Sequence, residues 1–325
     1  MNPFLLTLII AATVGMVFFV GVFICYKMAF YNNPKKNPSD PYRHVKNDGS
    51  EASEFPKSLI DNILSVPYEN IYVTSHDGLK LRARLYLKDK NAPFALQFHG
   101  YKSTPMLDFS GGGALAMELG FNVIMPDQRA CGESEGRTIS FGYNEHKDVY
   151  TWIRYVRENF NEDAKILLFG VSLGAGTVIM SAGNGVAENV KGVIADCPFS
   201  SAKEIITKVI YDMKLPGKLL YPFVRIGAKI FGRFDPNAAE PYQSIKTTKT
   251  PVLIVHGEDD KFVPLSMSEK INAGTPLTTL HTFPKAKHGT SFIVDSDRYS
   301  KITKEFILKC LDEQTAQNDN NCFHT

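Results

Sequence analysis

Metal-ligand spacings are missing from this sequence. Its five cysteines, Cys25, Cys131, Cys197, Cys310 and Cys322, include no CxxC pair or other short ligand spacing, and neither an HExxH motif nor paired His and carboxylate on one helix face occurs. No Walker or dinucleotide fingerprint is present either. Gly111-Gly112-Gly113 lacks the Lys-Ser/Thr of a phosphate loop and is read as easing access to a helix at Ala114 to Leu119. No metal and no cofactor are therefore expected. Charge of one sign is also scarce: 36 Lys and Arg against 34 Asp and Glu leave a formal net charge of +2, which excludes a global affinity for nucleic acid. Internal repeats and low-complexity tracts are absent. An odd cysteine count favours a reducing compartment, and burial is the ordinary fate of such isolated thiols. A chain of 325 residues suffices for one large core with additions.

What is present begins with a run from Phe4 to Tyr26 that contains no charged residue. A helix needs about 20 apolar residues to cross the hydrocarbon of a bilayer, so the run is expected to span one. It exceeds the h-region of a signal peptide, no Lys or Arg precedes it, and no A-x-A site follows. A buried core helix is disfavoured because the run is apolar all round and is read as lying apart from the domain. Lys27, Lys35, Lys36, Arg43 and Lys46 follow the run, which by the positive-inside rule places the C-terminal part on the cytoplasmic side of the cell membrane. Pro34, Pro38, Pro41 and Pro56 then mark a linker leading to a short helix near Glu54 to Leu64.

Beyond the linker, Ile71 and Val73, a His76-Asp77-Gly78 turn, and Leu79, Leu81, Ala83, Leu85 and Leu87 alternating with Lys80, Arg82 and Arg84 predict an antiparallel hairpin with one wet face. The runs Phe94 to Phe98, Phe121 to Met125, Ile166 to Phe169, Val190 to Ala195 and Val252 to Val255 do not alternate, as befits parallel strands buried on both faces. A last strand is expected at Leu277 to Phe283. Helical stretches at Tyr143 to Asn159, Gly174 to Gly183 and Ser266 to Ala273 separate the strands and predict βαβ units. Ser200 to Thr250 interrupts the alternation and is read as short helices above the sheet.

Chemistry enters at Gly170-Val171-Ser172-Leu173-Gly174, a GxSxG motif between a strand and a small-residue helix. A serine there stands on a sharp turn at the carboxyl edge of the sheet, and the helix that follows aims free amides at an oxyanion. His288, just beyond the last strand, reaches the same edge as a base, and a carboxylate in Glu258-Asp259-Asp260 would hold its tautomer. The order Ser, acid, His is that of a nucleophile-elbow hydrolase.

These motifs resemble the α/β-hydrolase superfamily, particularly its bacterial esterase and serine-aminopeptidase-like branch, over roughly Val66 to Asp312. The resemblance implies an α/β-hydrolase fold: a mostly parallel eight-stranded sheet with helices on both faces and a helical cap. The family's acid closes an HGxxDxxV pattern, matched by His256 to Val263, which favours Asp260 over Asp259. Its His-Gly loop, matched by His99-Gly100-Tyr101, implies an oxyanion hole made by the amides of Tyr101 and Leu173. A D-x-R-G-x-G-x-S-x-G loop is matched from Asp127 to Gly136 with Ala130 in place of the glycine; Asp127 and Arg129 are assigned to loop architecture, as is His99. His44, His76, His146, His281 and His324 receive no catalytic role.

The expected organisation is a membrane anchor at 1–27, a linker with a short helix at 28–65, a hydrolase domain at 66–312 with a cap at about 200–250, and a polar tail at 313–325. Catalysis by Ser172, Asp260 and His288 on a small-molecule carboxylic ester is the leading expectation. Amide cleavage at a peptide N-terminus, a non-catalytic binding protein on the same fold, and a thiol nucleophile at Cys131 or Cys197 are its rivals. Lys214, Lys218, Arg225, Lys229 and Arg233 among the cap's apolar residues also fit a lipid-facing cap, although a cap packed by its apolar face is favoured.

Overall fold

The computed structural model describes residues 2–35, 40–42 and 56–321. Lys36, Pro38, Arg43, His44, Lys46, Glu54, Cys322 and His324 lie outside the described residues. Chain order runs α1 (Pro3–Ala29), α2 (Lys57–Ser65), β1 (Glu69–Thr74), β2 (Lys80–Tyr86), β3 (Phe94–Phe98), α3 (Pro105–Asp108), α4 (Leu115–Glu118), β4 (Asn122–Pro126), α5 (Glu145–Asn159), β5 (Ile166–Val171), α6 (Leu173–Gly183) and β6 (Val190–Asp196). There follow α7 (Ala202–Asp212), α8 (Gly217–Gly227), a π-turn at Ala228–Gly232, α9 (Pro241–Ser244), β7 (Val252–Gly257), α10 (Leu265–Asn272), β8 (Thr278–Phe283), α11 (Ser291–Val294) and α12 (Ser296–Asn321).

The strands form one eight-stranded sheet in the order β1-β2-β4-β3-β5-β6-β7-β8. Only the β1–β2 and β2–β4 pairs are antiparallel; the other pairs are parallel. Successive side chains of a strand point to opposite faces, and both faces are covered. Thus Ile166 and Leu168 of β5 pack with Val149, Trp152 and Val178 of α5 and α6, while Leu167 and Phe169 pack with Tyr299 and Ile307 of α12. Two apolar layers on one strand are why these runs do not alternate.

Two expectations fail. The hairpin's wet face is not continuous: Asn70, Tyr72 and Thr74 of β1 and Lys80 of β2 are exposed, but Arg82 is 4% exposed, because β2 lies between β1 and β4 and the loop after β4 covers it. Its guanidinium is paired with Asp127 at 3.1 Å and bonded to Asn70. Nor does α1 lie apart. Its residues through Val20 are exposed, but in its last turns Val22, Tyr26 and the following Phe30 are buried against α8 and the π-turn. Asn32 donates to the Ala130 carbonyl at 2.8 Å and Tyr31 bridges to Thr138, so residues expected to begin a linker are packed into the body.

Candidate active site

The turn after β5 is held in a conformation that few sequences tolerate. Ser172 has φ +53° and ψ −107°, outside the ordinary regions for a side-chain-bearing residue, a cost of about 1–3 kcal/mol that the surroundings must offset. Its amide donates to the Asp196 carbonyl at 2.8 Å. The flanking glycines are required by contact: a Cβ on Gly174 would lie 1.7 Å from the Phe98 carbonyl oxygen, and one on Gly170 would lie 2.3 Å from that of Gly174. The close approach brings the end of β3 against the start of α6.

Parallel strands end on one edge, and that edge collects the remaining partners. His288 follows β8, with Nε2 2.9 Å from Ser172 Oγ and Nδ1 2.7 Å from Asp260 Oδ2. A carboxylate only accepts, so Nδ1 carries the proton and Nε2 is left to accept from the hydroxyl. Asp260 Oδ1 accepts from the amides of Phe262 and Val263 at 2.9 and 2.8 Å. Burial alone would push its pKa up, but hydrogen bonds from His256 and His288 and from the Val263 amide outweigh burial and hold the carboxyl well below the usual carboxylate range. Asp259, the other acid considered, is exposed. The Phe262 ring lies edge-on to the imidazole, 5.0 Å between centroids.

Leu173 opens α6, where an amide has no intrahelical acceptor and the helix dipole favours negative charge. A Cβ on Gly100 would stand 3.5 Å from that of Ser172, so the His99-Gly100-Tyr101 backbone runs beside the serine. Asp108 fixes this loop by accepting from the Gly100 amide at 2.6 Å and the Ser103 hydroxyl at 2.6 Å. His99 is buried and accepts from the Gln128 amide at 3.0 Å, a role in loop architecture. Arg129 pairs with Asp148 at 2.6 Å and Asp77 at 2.9 Å, and Asp127 accepts from the Glu133 amide. Ala130 adopts φ +61°, the backbone shape of the glycine it replaces.

Three neighbours of the site stand where the sequence did not place them. His256 is buried, bonded to Ser268 Oγ at 2.7 Å and the Val263 carbonyl at 2.8 Å, and stands 3.3 Å from Asp260 Oδ2, so it braces the acid's loop. Cys197 follows β6 with φ +47° and places Sγ 4.0 Å from His288 Nε2. Burial first, then the charges of Asp196 and Asp260, raise its thiol well above the ordinary value and keep it protonated. Cys131 is likewise pushed up to about 12, chiefly by burial. Among the described residues Cys197, Asp260 and His288 present donor atoms within 4.8 Å of one another. A cation there would have to displace the serine hydroxyl from Nε2 and strip a thiol that burial keeps neutral.

The third neighbour is α1. A cavity of about 310 Å³ adjoins Ser172, walled by Ile206, Val209 and Ile210 of α7 and by Cys25, Met28 and Ala29 of α1. A wider groove of about 1020 Å³ lies outside α7 and α8, lined by Lys203, Lys208, Lys218 and Lys270 but not by Ser172. Of the basic residues weighed for a lipid-facing cap, Arg225 and Lys229 both pair with Asp235, at 2.7 and 3.0 Å.

The chain has the α/β-hydrolase fold: the sequence model of that fold matches residues 105–225, and the sheet order and the edge on which Ser172 sits agree with it. The esterase Pf2001 of Pyrococcus furiosus superposes with a TM-score of 0.61 at 23% identity, covering 86% of this chain and 98% of that one. Among curated proteins, the chain is 28% identical to YqkD of Bacillus subtilis over 59% of its own length and 64% of that protein's. It thus spans somewhat less than two thirds of that relative. It is 25% identical to bem46 of Schizosaccharomyces pombe over 83% of its own length and 85% of that protein's. The α1 helix is long and apolar enough to cross a membrane.

Proposed function

We propose that the protein is a membrane-anchored serine hydrolase that cleaves carboxylic esters through an acyl-enzyme. The observation that carries this reading is the unbroken relay from Ser172 Oγ to His288 Nε2 at 2.9 Å and from Nδ1 to Asp260 Oδ2 at 2.7 Å. His288 takes the hydroxyl proton as Oγ bonds to the acyl carbon, and Asp260 stabilises the imidazolium that forms. The amides of Tyr101 and Leu173 receive the charge that develops on the carbonyl oxygen. The imidazolium then protonates the leaving alcohol as the acyl carbon–oxygen bond breaks, and water repeats the sequence to release the acid.

An ester is preferred to a peptide because the described lining of the cavity beside Ser172 contains no Asp or Glu to receive a peptide's terminal ammonium. A binding protein on this fold has no use for a strained serine aligned with a base and an acid. Lys27 in the last turn of α1 and Lys35 beyond it support a cytoplasmic domain on a single-pass anchor. A fluorophosphonate probe tests the reading: it should label the wild-type chain and not Ser172→Ala, and hydrolysis of nitrophenyl esters should exceed that of aminoacyl anilides. Absence of labelling in the wild type would remove the serine reading.

A further inference from the structure

The wall that α1 gives to the cavity has no place in a simple tether. At 27 residues and about 1.5 Å rise each, α1 is about 40 Å long, against roughly 30 Å of hydrocarbon in a bilayer. Two turns therefore extend past the hydrocarbon, and the turns that dock on the body are the last ones. Val22 and Tyr26 are buried against α8, where a Cβ on Gly227 would lie 2.7 Å from the Val22 carbonyl oxygen. Cys25, Met28 and Ala29, on the adjoining face, line the cavity. The Tyr101 hydroxyl donates to the Ala29 carbonyl at 3.0 Å, tying the helix end to the loop beside Ser172.

Neighbouring elements share this depth. Phe223 meets Phe18 at 5.6 Å between ring centroids, and Phe231 meets Phe19 and Phe23 at 5.3 and 5.0 Å, so α8 and the π-turn accompany α1 toward its lipid-facing part. Around them Met213, Leu215, Leu219 and Ile230 stand 48%, 43%, 66% and 52% exposed, an apolar rim that water does not favour and a bilayer surface does.

We infer that α1 is part of the substrate site, and that the substrate is a membrane-resident lipid ester whose acyl chain passes from the leaflet facing the domain, along Cys25, Met28 and Ala29, into the cavity at Ser172. This rests on the serine-hydrolase reading and adds the substrate class. In such a lipid the ester group lies at the boundary between hydrocarbon and headgroup, the height at which α1 leaves the bilayer and Ser172 waits. The acyl carbon bonds to Oγ, the ester bond to the headgroup alcohol breaks, and the alcohol departs with the proton held by His288. With about 30 Å³ for a water-sized group, the 310 Å³ cavity has room for roughly ten methylenes.

The test uses the full chain in phosphatidylcholine vesicles and two probes, an ethyl and a decyl fluorophosphonate, with adducts at Ser172 and maleimide labelling of Cys25 both followed by peptide mass spectrometry. Both probes should form the adduct, and the decyl adduct should slow alkylation of Cys25 by about tenfold or more relative to the ethyl adduct. In parallel, Met28→Trp should lower the ratio of kcat/KM for decanoate over butyrate esters by about tenfold. Two adducts formed equally with no difference at Cys25, or an unchanged ester ratio, overturns the inference while leaving the serine reading intact. No adduct with either probe overturns both.

Discussion

Replacing Asp260 by asparagine keeps the shape of the side chain and reverses one contact. Oδ1 can still accept from the amides of Phe262 and Val263, but the amide nitrogen then faces His288 Nδ1 where Oδ2 now accepts at 2.7 Å. A donor facing Nδ1 forces the proton onto Nε2, which then points at Ser172 Oγ and cannot take its proton. Losing the correct tautomer in such a relay costs about 10⁴-fold in turnover, or roughly 5 kcal/mol in the barrier. Because Asp260 does not line the cavity, the loss should fall on kcat and leave KM near its wild-type value. Asp259→Asn removes an exposed charge from the same loop and should change kcat by no more than about twofold.

Stability supplies a second readout with a defined sign. Asp260 has a folded-state value depressed below the ordinary 3.8, so it stabilises the fold above that pH, and the contribution is lost as pH falls through the folded value. Asp260→Asn should thus unfold more readily than wild type at pH 7, with the difference shrinking in strong acid. The assay is nitrophenyl ester hydrolysis of all three chains at saturating and limiting substrate, with denaturant melts alongside. A loss below about tenfold for Asp260→Asn, or an equal loss for Asp259→Asn, would refute the assignment of the acid.

Two other outcomes are expected. Asp196 is buried, its Oδ1 has no hydrogen-bond partner, and burial raises its carboxyl to about 6; the folded chain therefore binds this proton more tightly than the unfolded one, and stability falls as pH rises from about 4 to 6. Asp196→Asn lacks that loss and should melt above wild type at pH 8 but not at pH 4, and a difference independent of pH would contradict the argument. Cys197→Ala should keep activity within about tenfold of wild type, because a buried neutral thiol is not the nucleophile; abolished hydrolysis with intact folding would revive the thiol reading.

The features legible in the sequence share a physical cause. A strand covered on both faces is apolar at most positions, so β3, β5, β6 and β7 stand out as runs that do not alternate, with Gln97, Lys191, Asp196 and His256 as polar exceptions, and a serine on a strand-to-helix turn needs the glycines at 170 and 174, where a Cβ would strike backbone. Because parallel strands end at one edge, strand order along the chain was enough to bring Ser172, Asp260 and His288 to the same rim. The burial of Arg82 is not legible in its strand because its solvation is replaced by Asp127, 45 residues away, and alternation within one strand carries no information about such a partner. Cys197 and His256 belong to strand ends legible in the sequence, and His256 opens the pattern that holds Asp260, but neither neighbourhood states that its side chain lies against the imidazole or the acid.

The docking of α1 was hidden for a different reason. In a soluble helix the buried face differs from the wet face, and periodicity reveals it. In α1 the exposed side and the side that packs on the body are both apolar, so Val22, Tyr26 and Phe30, spaced four residues apart on one stripe, raise no contrast against Phe18, Phe19 and Phe23. The weak signals are chemical rather than periodic. Tyr26 brings a hydroxyl, 2.7 Å from Thr138 Oγ1, to the end of an otherwise apolar run, and Gly227 in α8 removes the side chain that would hold the two helices apart. A polar tip at the inner end of an apolar helix, opposite a glycine in a helix of the body, is the pattern by which docking of this kind becomes readable, because a helix with no protein neighbour has no partner for the tip and no need of the gap.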